Sequence, residues 1–425
     1  MSATATTSSA DWSCIFVHAG AGYHSQANEA LHLDACALAC KAAMALLRNG
    51  GSAVDGVEMA LRTLEDNEIT NSGYGSNLSL DGTVECDASI MEESGRSGAV
   101  GAVDSFKNPS ALARLVLDNS RKPMSLKRVP PILIAGPGAR NYAIQYHFPI
   151  ISNDQLVSYS AHQRWLRWTR DLQALRSSGR SHSRSRSTPR SSSRSRSQAR
   201  RGSDDGVPTN PPTVRSRSHI RHSSDDPHPP NISKSGTGLT NIPPPVKEDE
   251  DHVTDTVGAI CVDKWGRVAA GSSSGGIGMK YRGRIGPAAL IGIGTWIKTD
   301  DEQAVAATCS GTGEQMAHTM IASKAVDRMF GDEDELMGLQ KAIEQDFMGS
   351  NIVRESSMAA AVGIMAIKLD KTANGKGRIH FIFGHTTDSM ALAHQGTLMK
   401  EPITTMSRNK RNPKACMGGY PVPVA

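Results

Sequence analysis

The 425-residue sequence is poor in aromatic side chains, which supply only 4% of it, so any core has to be packed from small aliphatic residues. It has no uninterrupted apolar run of the roughly 18 residues that a membrane span needs, and no membrane partner is expected. Its seven cysteines are odd in number and contain no Cys-x-x-Cys pair, which argues against both a disulfide framework and a zinc cluster. A reducing compartment, cytoplasmic or nuclear, is expected. The first residues (MSATATTSSADWSCIF) lack a basic start followed by an apolar stretch, so secretion is not expected.

The formal net charge of +5 is not spread along the chain. Between Arg176 and Arg201 stand nine Arg and eleven Ser with no acid, and residues 176–255 hold fourteen basic and nine acidic side chains. That stretch carries the whole excess, and the remainder is formally neutral.

Two blocks of periodic sequence flank this middle. In the first, a strand from Cys14 to Val17 runs into HAGAG, a helix follows from about Asn28 to Arg48, and Ser52 is placed to cap another that ends at Glu65. TVECDASIM (83–91) and GAVGAV (98–103) read as strands, and GPGAR (136–140) as a turn opening a helix. From about 152 the pattern dissolves into Arg-Ser dipeptides, proline clusters and the acidic run 248–251. Such a segment cannot bury enough apolar surface to offset its ordering entropy, so a disordered linker is expected over about 172–254. Order resumes with a hairpin, Val257–Val262 and Arg267–Ser272 joined by DKWG. A strand at 288–293, one helix over 314–330 and strands at 359–367 and 378–383 are expected next, and the last thirty residues read as a loosely held tail.

The junction Asp255-Thr256 is where linker meets strand. Threonine is a poor nucleophile unless a base takes its proton. An N-terminal threonine supplies that base itself, because its α-amine has a pKa near ~8 and lies within reach of the hydroxyl. The segments that follow, DTVGAICVDKWGRVAAGSSSGG, GRIGPAALIGIG and CSGTGE, resemble the asparaginase-type N-terminal nucleophile hydrolases, in which the nucleophilic Thr begins a TVGAV-like strand. HAGAGYHS, NSGYGSNL, VECDASIM and HTTDSM narrow the resemblance to the threonine-aspartase branch, which cleaves proteins after aspartate. It covers roughly 14–150 and 255–392.

That resemblance implies an α+β fold, a four-layer αββα sandwich, made by two chains, 1–255 and 256–425, that stay associated after self-cleavage. It implies Thr256 as nucleophile, Ser310 and Gly311 facing the developing oxyanion, and Ser274 tuning the Thr256 amine. Arg284 would grip a carboxylate with its planar fork, and Gly20, Asn71 and Gly313 would complete the substrate-binding floor. No metal and no organic cofactor is implied. Asparaginases carry an aspartate three residues after the Arg of this motif, where it holds a substrate's free amine; Pro287 stands there here. An internal peptide segment has no such amine. This favours an endopeptidase cutting after aspartate, with Asp255 at its own cleavage site and Arg284 on the aspartate side chain.

Two other readings stay open. One is an asparaginase or isoaspartyl peptidase acting on small substrates. The other is an inert hydrolase fold carrying an Arg-Ser interaction segment. That segment has no aromatic residue for base stacking, so nucleic-acid binding is not expected. The expected partners are protein substrates with aspartate before the cut and a second copy of the processed unit, in a homo-oligomer of two chains of each kind.

Overall fold

The computed structural model describes residues 11–184, 255–332, 334–371, 378–410 and 414–424. The chain divides into two compact units, residues 1–168 with 238–425 and residues 169–237. The first opens with strand β1 (Cys14–Gly22), helices α1 (Glu29–Arg48) and α2 (Ala53–Glu65), strands β2 (Cys86–Glu92) and β3 (Ser97–Val103), and helix α3 (Pro109–Asn119). Strand β4 (Leu133–Ala135), helix α4 (Gly136–Gln145) and helix α5 (Tyr159–Arg184) follow, the last ending within the second unit. After residue 255 come β5 (Val257–Val262), β6 (Val268–Ser274), β7 (Thr295–Thr299) and β8 (Gln303–Gly311), then helices α6 (Gly313–Thr319), α7 (Ile321–Gly331), α8 (Glu335–Lys341) and α9 (Asn351–Arg354). Strands β9 (Val362–Asp370), β10 (Arg378–His385), β11 (Ser389–Gly396), β12 (Ile403–Arg408) and β13 (Cys416–Val422) close the chain.

The strands form an eight-stranded sheet in the order β12-β11-β1-β5-β6-β2-β3-β4 and a five-stranded sheet in the order β13-β10-β9-β8-β7. Strand β5 lies at the centre of the larger one and is buried throughout. Its side chains alternate as a strand requires: Val257, Ala259 and Cys261 join α1 and α2 in one apolar cluster, while Ile260 and Val262 join Phe16, Ile367 and Phe381 in another. A third cluster sets α7 and α8 against β8 and β9. Helix α1 is long and apolar enough in composition to cross a membrane, and its Ala35, Ala39, Cys40 and Met44 are spent on the first cluster. Helix α2 starts at Ser52 with a reciprocal capping box to Asp55.

One irregularity bears on the site. Ala19 belongs to the helix-side cluster and Ala21 to the other, although both are odd-numbered positions of β1. The pairing of β1 with β11 shifts between His18 and Ala21, and Gly20 has φ +103°. A bulge therefore turns the strand end over at HAGAG.

Four expectations are corrected. Residues 288–293 form no strand: Pro287–Ala289 is a 3-10 turn, and Gly294 approaches the Pro287 carbonyl too closely to carry a side chain. The helix expected over 314–330 breaks at Met320 (φ 51°), where the Gly292 carbonyl takes the Ser323 amide of the next helix's first turn. The C-terminal residues are not a loose tail, because β12 pairs with β11 and β13 with β10. Helix α5 continues to Arg184, into the stretch expected as linker, since Leu172, Gln173, Ala174 and Leu175 are good helix formers. The rest of the linker expectation lies outside the described residues.

Candidate active site

Thr256 precedes the first residue of β5 and is 6% exposed, as is Asp255 before it. The pairing Val257–Ser273 of the β5–β6 hairpin, extended by one residue, sets Thr256 opposite Ser274. Ser310, near the end of β8 in the other sheet, reaches across: its Oγ accepts the amide hydrogens of Thr256 and Ala21, each at 3.2 Å. One hydroxyl thus ties together the head of β5, the bulge of β1 and the end of β8. Next to it Gly311 has φ +147°, and a Cβ there would stand 2.2 Å from the Ala361 carbonyl oxygen.

The side chain of Asp255 lies on the bulge. A Cβ on Gly20 would stand 2.0 Å from that of Asp255, and one on Gly22 would stand 2.4 Å from its Oδ1. Its Oδ2 lies 3.4 Å from His24 Nε2. The guanidinium of Arg284 is engaged elsewhere, giving Nε and Nη2 to Glu314 Oε1 at 3.1 and 2.8 Å. Burial pushes the Glu314 carboxyl up, but the hydrogen bonds and charge of Arg284 hold it below the usual range. Gly313 and Gly286 make room for this fork, since a Cβ on either would come within 2.6 Å of a guanidinium nitrogen.

Ser274 and Asn71 serve the backbone. Ser274 Oγ accepts the Gly276 amide at 3.0 Å. Asn71 donates to the Gly276 carbonyl at 2.8 Å and accepts the Asn77 amide at 2.9 Å. The contact with the Thr256 nitrogen is made by Ser310, where the sequence led us to expect Ser274. The structure therefore brings Thr256, Ser310, Gly311, Gly20 and Asp255 together, with Ser274 across the hairpin. Arg284 and Gly313 form a neighbouring group that Asn71 and Ser274 shape through the Gly276 turn.

Several residues escaped the sequence reading. His18 is buried beside Gly258, where a Cβ would stand 2.2 Å from its Nε2. Burial pushes its pKa down to about 3 against the pull of a hydrogen bond with the Thr256 backbone, so the ring stays neutral. Asp87 in β2 accepts the amides of Ala102 and Gly286 at 2.8 and 2.7 Å, fixing the loop that carries Arg284. Buried Lys280 donates to the Glu85 carbonyl at 2.7 Å. Behind the hairpin Glu65 accepts from Ser273 at 2.7 Å, and burial pushes its pKa up to about 7. HAGAG and VECDASIM contain the first two, but a lone His and Asp in strands carry no signal that separates them from core. Among the described residues no group of His, Cys, Asp and Glu could hold a metal ion. A cleft of about 530 Å³ lies at the far end of the hairpin, beside Asp263 and Arg267, away from Thr256.

A buried threonine at a strand head, with a hydroxyl on its nitrogen and glycine backbone around the preceding carboxylate, is a site of hydrolase type. A family model described as asparaginase matches residues 12–395, and the chain belongs to that family of N-terminal nucleophile hydrolases. A probable isoaspartyl peptidase/L-asparaginase 2 of Arabidopsis thaliana is 29% identical over 299 residues, covering 70% of this chain and 73% of the relative. An isoaspartyl peptidase of Salmonella typhimurium is 27% identical over 314 residues, covering 72% and 76%. An N(4)-(beta-N-acetylglucosaminyl)-L-asparaginase of Elizabethkingia miricola is 23% identical over 301 residues, covering 71% and 63%.

Proposed function

We propose that the protein is a self-cleaving threonine endopeptidase of the taspase type, which cuts its own Asp255–Thr256 bond and then other proteins after aspartate. The observation that carries this reading is the seating of that bond. Thr256 is buried with its nitrogen on Ser310 Oγ, and the Asp255 side chain rests on the Gly20–Gly22 bulge. In self-cleavage Thr256 Oγ adds to the Asp255 carbonyl carbon. The C–N bond breaks as the nitrogen takes a proton, and water then splits the ester. The freed amine serves as base for later attacks by Oγ. Ser310 and Gly311 are the groups proposed to face the developing oxyanion, where such donors typically contribute about 3 kcal/mol each.

The names of the relatives favour a second reading, an isoaspartyl peptidase or asparaginase. Pro287 is the observation against it, since it puts an apolar ring where a group pairing with a free amine is needed. The succession of three apolar clusters supports a four-layer αββα arrangement shared by both chains after the cut. Proteins with exposed aspartate are the proposed substrates, a second processed copy the proposed partner, and cytoplasm or nucleus the proposed location.

The test is a gel and two assays. Purified full-length protein is expected to run as fragments of 255 and 170 residues, and Thr256→Ala as one band. The cut protein is expected to cleave a peptide after internal aspartate and to release no ammonia from asparagine. An active enzyme that stays in one piece refutes the mechanism, and ammonia release without peptide cleavage favours the second reading.

A further inference from the structure

We propose that the residue before the scissile bond is read by His24 together with the Gly20–Gly22 backbone, and that Ser389 is the positioning residue that aims His24. This rests on the endopeptidase reading. The Asp255 side chain already fills the cradle, with Oδ2 3.4 Å from His24 Nε2 and no room for methyl groups on Gly20 or Gly22. Nε2 also faces the Ala19 carbonyl oxygen at 3.3 Å. With its proton on Nε2 the ring donates toward a carboxylate even when neutral. On its other edge Nδ1 lies 3.0 Å from Ser389 Oγ, which accepts the His24 backbone amide at 2.9 Å and also lies 3.4 Å from the Gly22 carbonyl oxygen. The His32 ring stands nearly perpendicular to that of His24, with centroids 4.5 Å apart, and braces it. Two segments 365 residues apart, YHS and HTTDSM, thus meet at the scissile aspartate.

Chemistry carries the cradle from Asp255 to a substrate. In self-cleavage the C–N bond to Thr256 breaks as Oγ bonds to the Asp255 carbonyl carbon, leaving an aspartyl ester on Oγ beside a free amine. In turnover Oγ bonds to the substrate's carbonyl carbon, the peptide nitrogen leaves with a proton, and an aspartyl ester again stands on Oγ beside the same amine. Water splits both esters and returns a proton to Oγ. The two intermediates are the same species, so a substrate's aspartate places its carboxylate where that of Asp255 lay. Asparagine offers Nε2 a weaker, uncharged acceptor, and glutamate brings a methylene for which the glycine contacts leave no space. Arg284 is paired with Glu314 instead.

The test uses full-length protein carrying His24→Phe, His24→Gln, Ser389→Ala or Arg284→Ala. Each is assayed for its rate of self-cleavage and, after cutting is complete, on three peptides that differ only in Asp, Asn or Glu before the cut. His24→Phe is expected to lower self-cleavage and kcat/KM on the Asp peptide about 10- to 100-fold, the loss of one hydrogen bond to a charged group. The rate on the Asn peptide should move much less, so the preference collapses. His24→Gln, which restores an N–H donor, recovers part of it, Ser389→Ala loses less than His24→Phe, and Arg284→Ala keeps the Asp:Asn ratio whatever its rate. Should His24→Phe fail to fold, Ser389→Ala carries the same prediction at smaller size. The inference is overturned if the His24 and Ser389 variants keep the wild-type ratio and self-cleavage rate, or if Arg284→Ala alone abolishes the ratio. If wild type cuts itself but none of the peptides, the endopeptidase reading fails, and the self-cleavage rates still decide whether His24 reads Asp255.

Discussion

The hydroxyl oxygen of Ser310 lies 3.2 Å from the amide nitrogen of Thr256, the atom that self-cleavage would turn from amide into amine. The same oxygen holds the Ala21 amide at 3.2 Å. In the intact chain it fixes the nitrogen against which Thr256 Oγ would be set, and under the proposed cleavage it would lie beside the base.

Ser310→Ala would leave two buried N–H groups without this acceptor, a desolvation cost of about 1–3 kcal/mol each. Self-cleavage is expected to slow by about 100-fold or more, since misplacement of reacting atoms adds to that loss. Band intensities over time on purified precursor give the rate. A wild-type rate would show that the contact plays no part in processing.

Gly20→Ala tests the bulge. Its φ of +103° disfavours any side chain, and the new methyl would stand 2.0 Å from Asp255 Cβ, a position fixed by the backbone. The variant is expected to fold, shown by wild-type circular dichroism, yet to remain one uncut chain. Gly22→Ala, which meets the movable Oδ1 at 2.4 Å, should cut slowly. Rapid cutting by Gly20→Ala would mean that Asp255 need not rest on the bulge.

Much of this architecture could be read from local pattern. The β5–β6 hairpin follows from two apolar runs around DKWG, and the α2 capping box from Ser52 and Asp55. What escaped was set by distant partners. The strand ITTMSR (Ile403–Arg408) has little alternation and exists because β11 offers an edge. GGYP within β13 reads as turn and is held as strand by β10. At the site, the glycines and hydroxyls stood out, but which hydroxyl meets the Thr256 nitrogen depends on a contact between two sheets, 54 residues apart in sequence. The pairing of Arg284 with Glu314 was not legible, because nothing in the local pattern joins two residues thirty positions apart.

Gly258 illustrates a constraint without chemistry of its own. A methyl there would stand 2.2 Å from His18 Nε2 and 2.7 Å from Thr308 Oγ1. Overpacking of this kind costs about 1–3 kcal/mol, so Gly258→Ala is expected to lower Tm by about 5 °C. Measured in the Thr256→Ala background, where processing does not interfere, an unchanged Tm would show that the two sheets part there without cost.

Glu65 links the fold to pH. Its carboxyl is buried, and burial lifts its pKa from 4.5 to about 7, although Ser273 and Ser110 hydrogen bonds pull it down. A folded value above the unfolded one means that the fold keeps a proton which the unfolded chain has lost. The resulting stability is full below about 4.5 and is lost as pH rises through about 7, a span worth ~3 kcal/mol. Gln at this position stays neutral and offers an N–H in place of the acid's O–H. Thermal melts of Thr256→Ala between pH 5 and 8 should therefore show Tm falling with pH, apart from the contributions of other groups. Adding Glu65→Gln should flatten that slope and raise Tm most at pH 8. Parallel Tm curves for the two proteins would mean that Glu65 is ionised in the fold across the whole range.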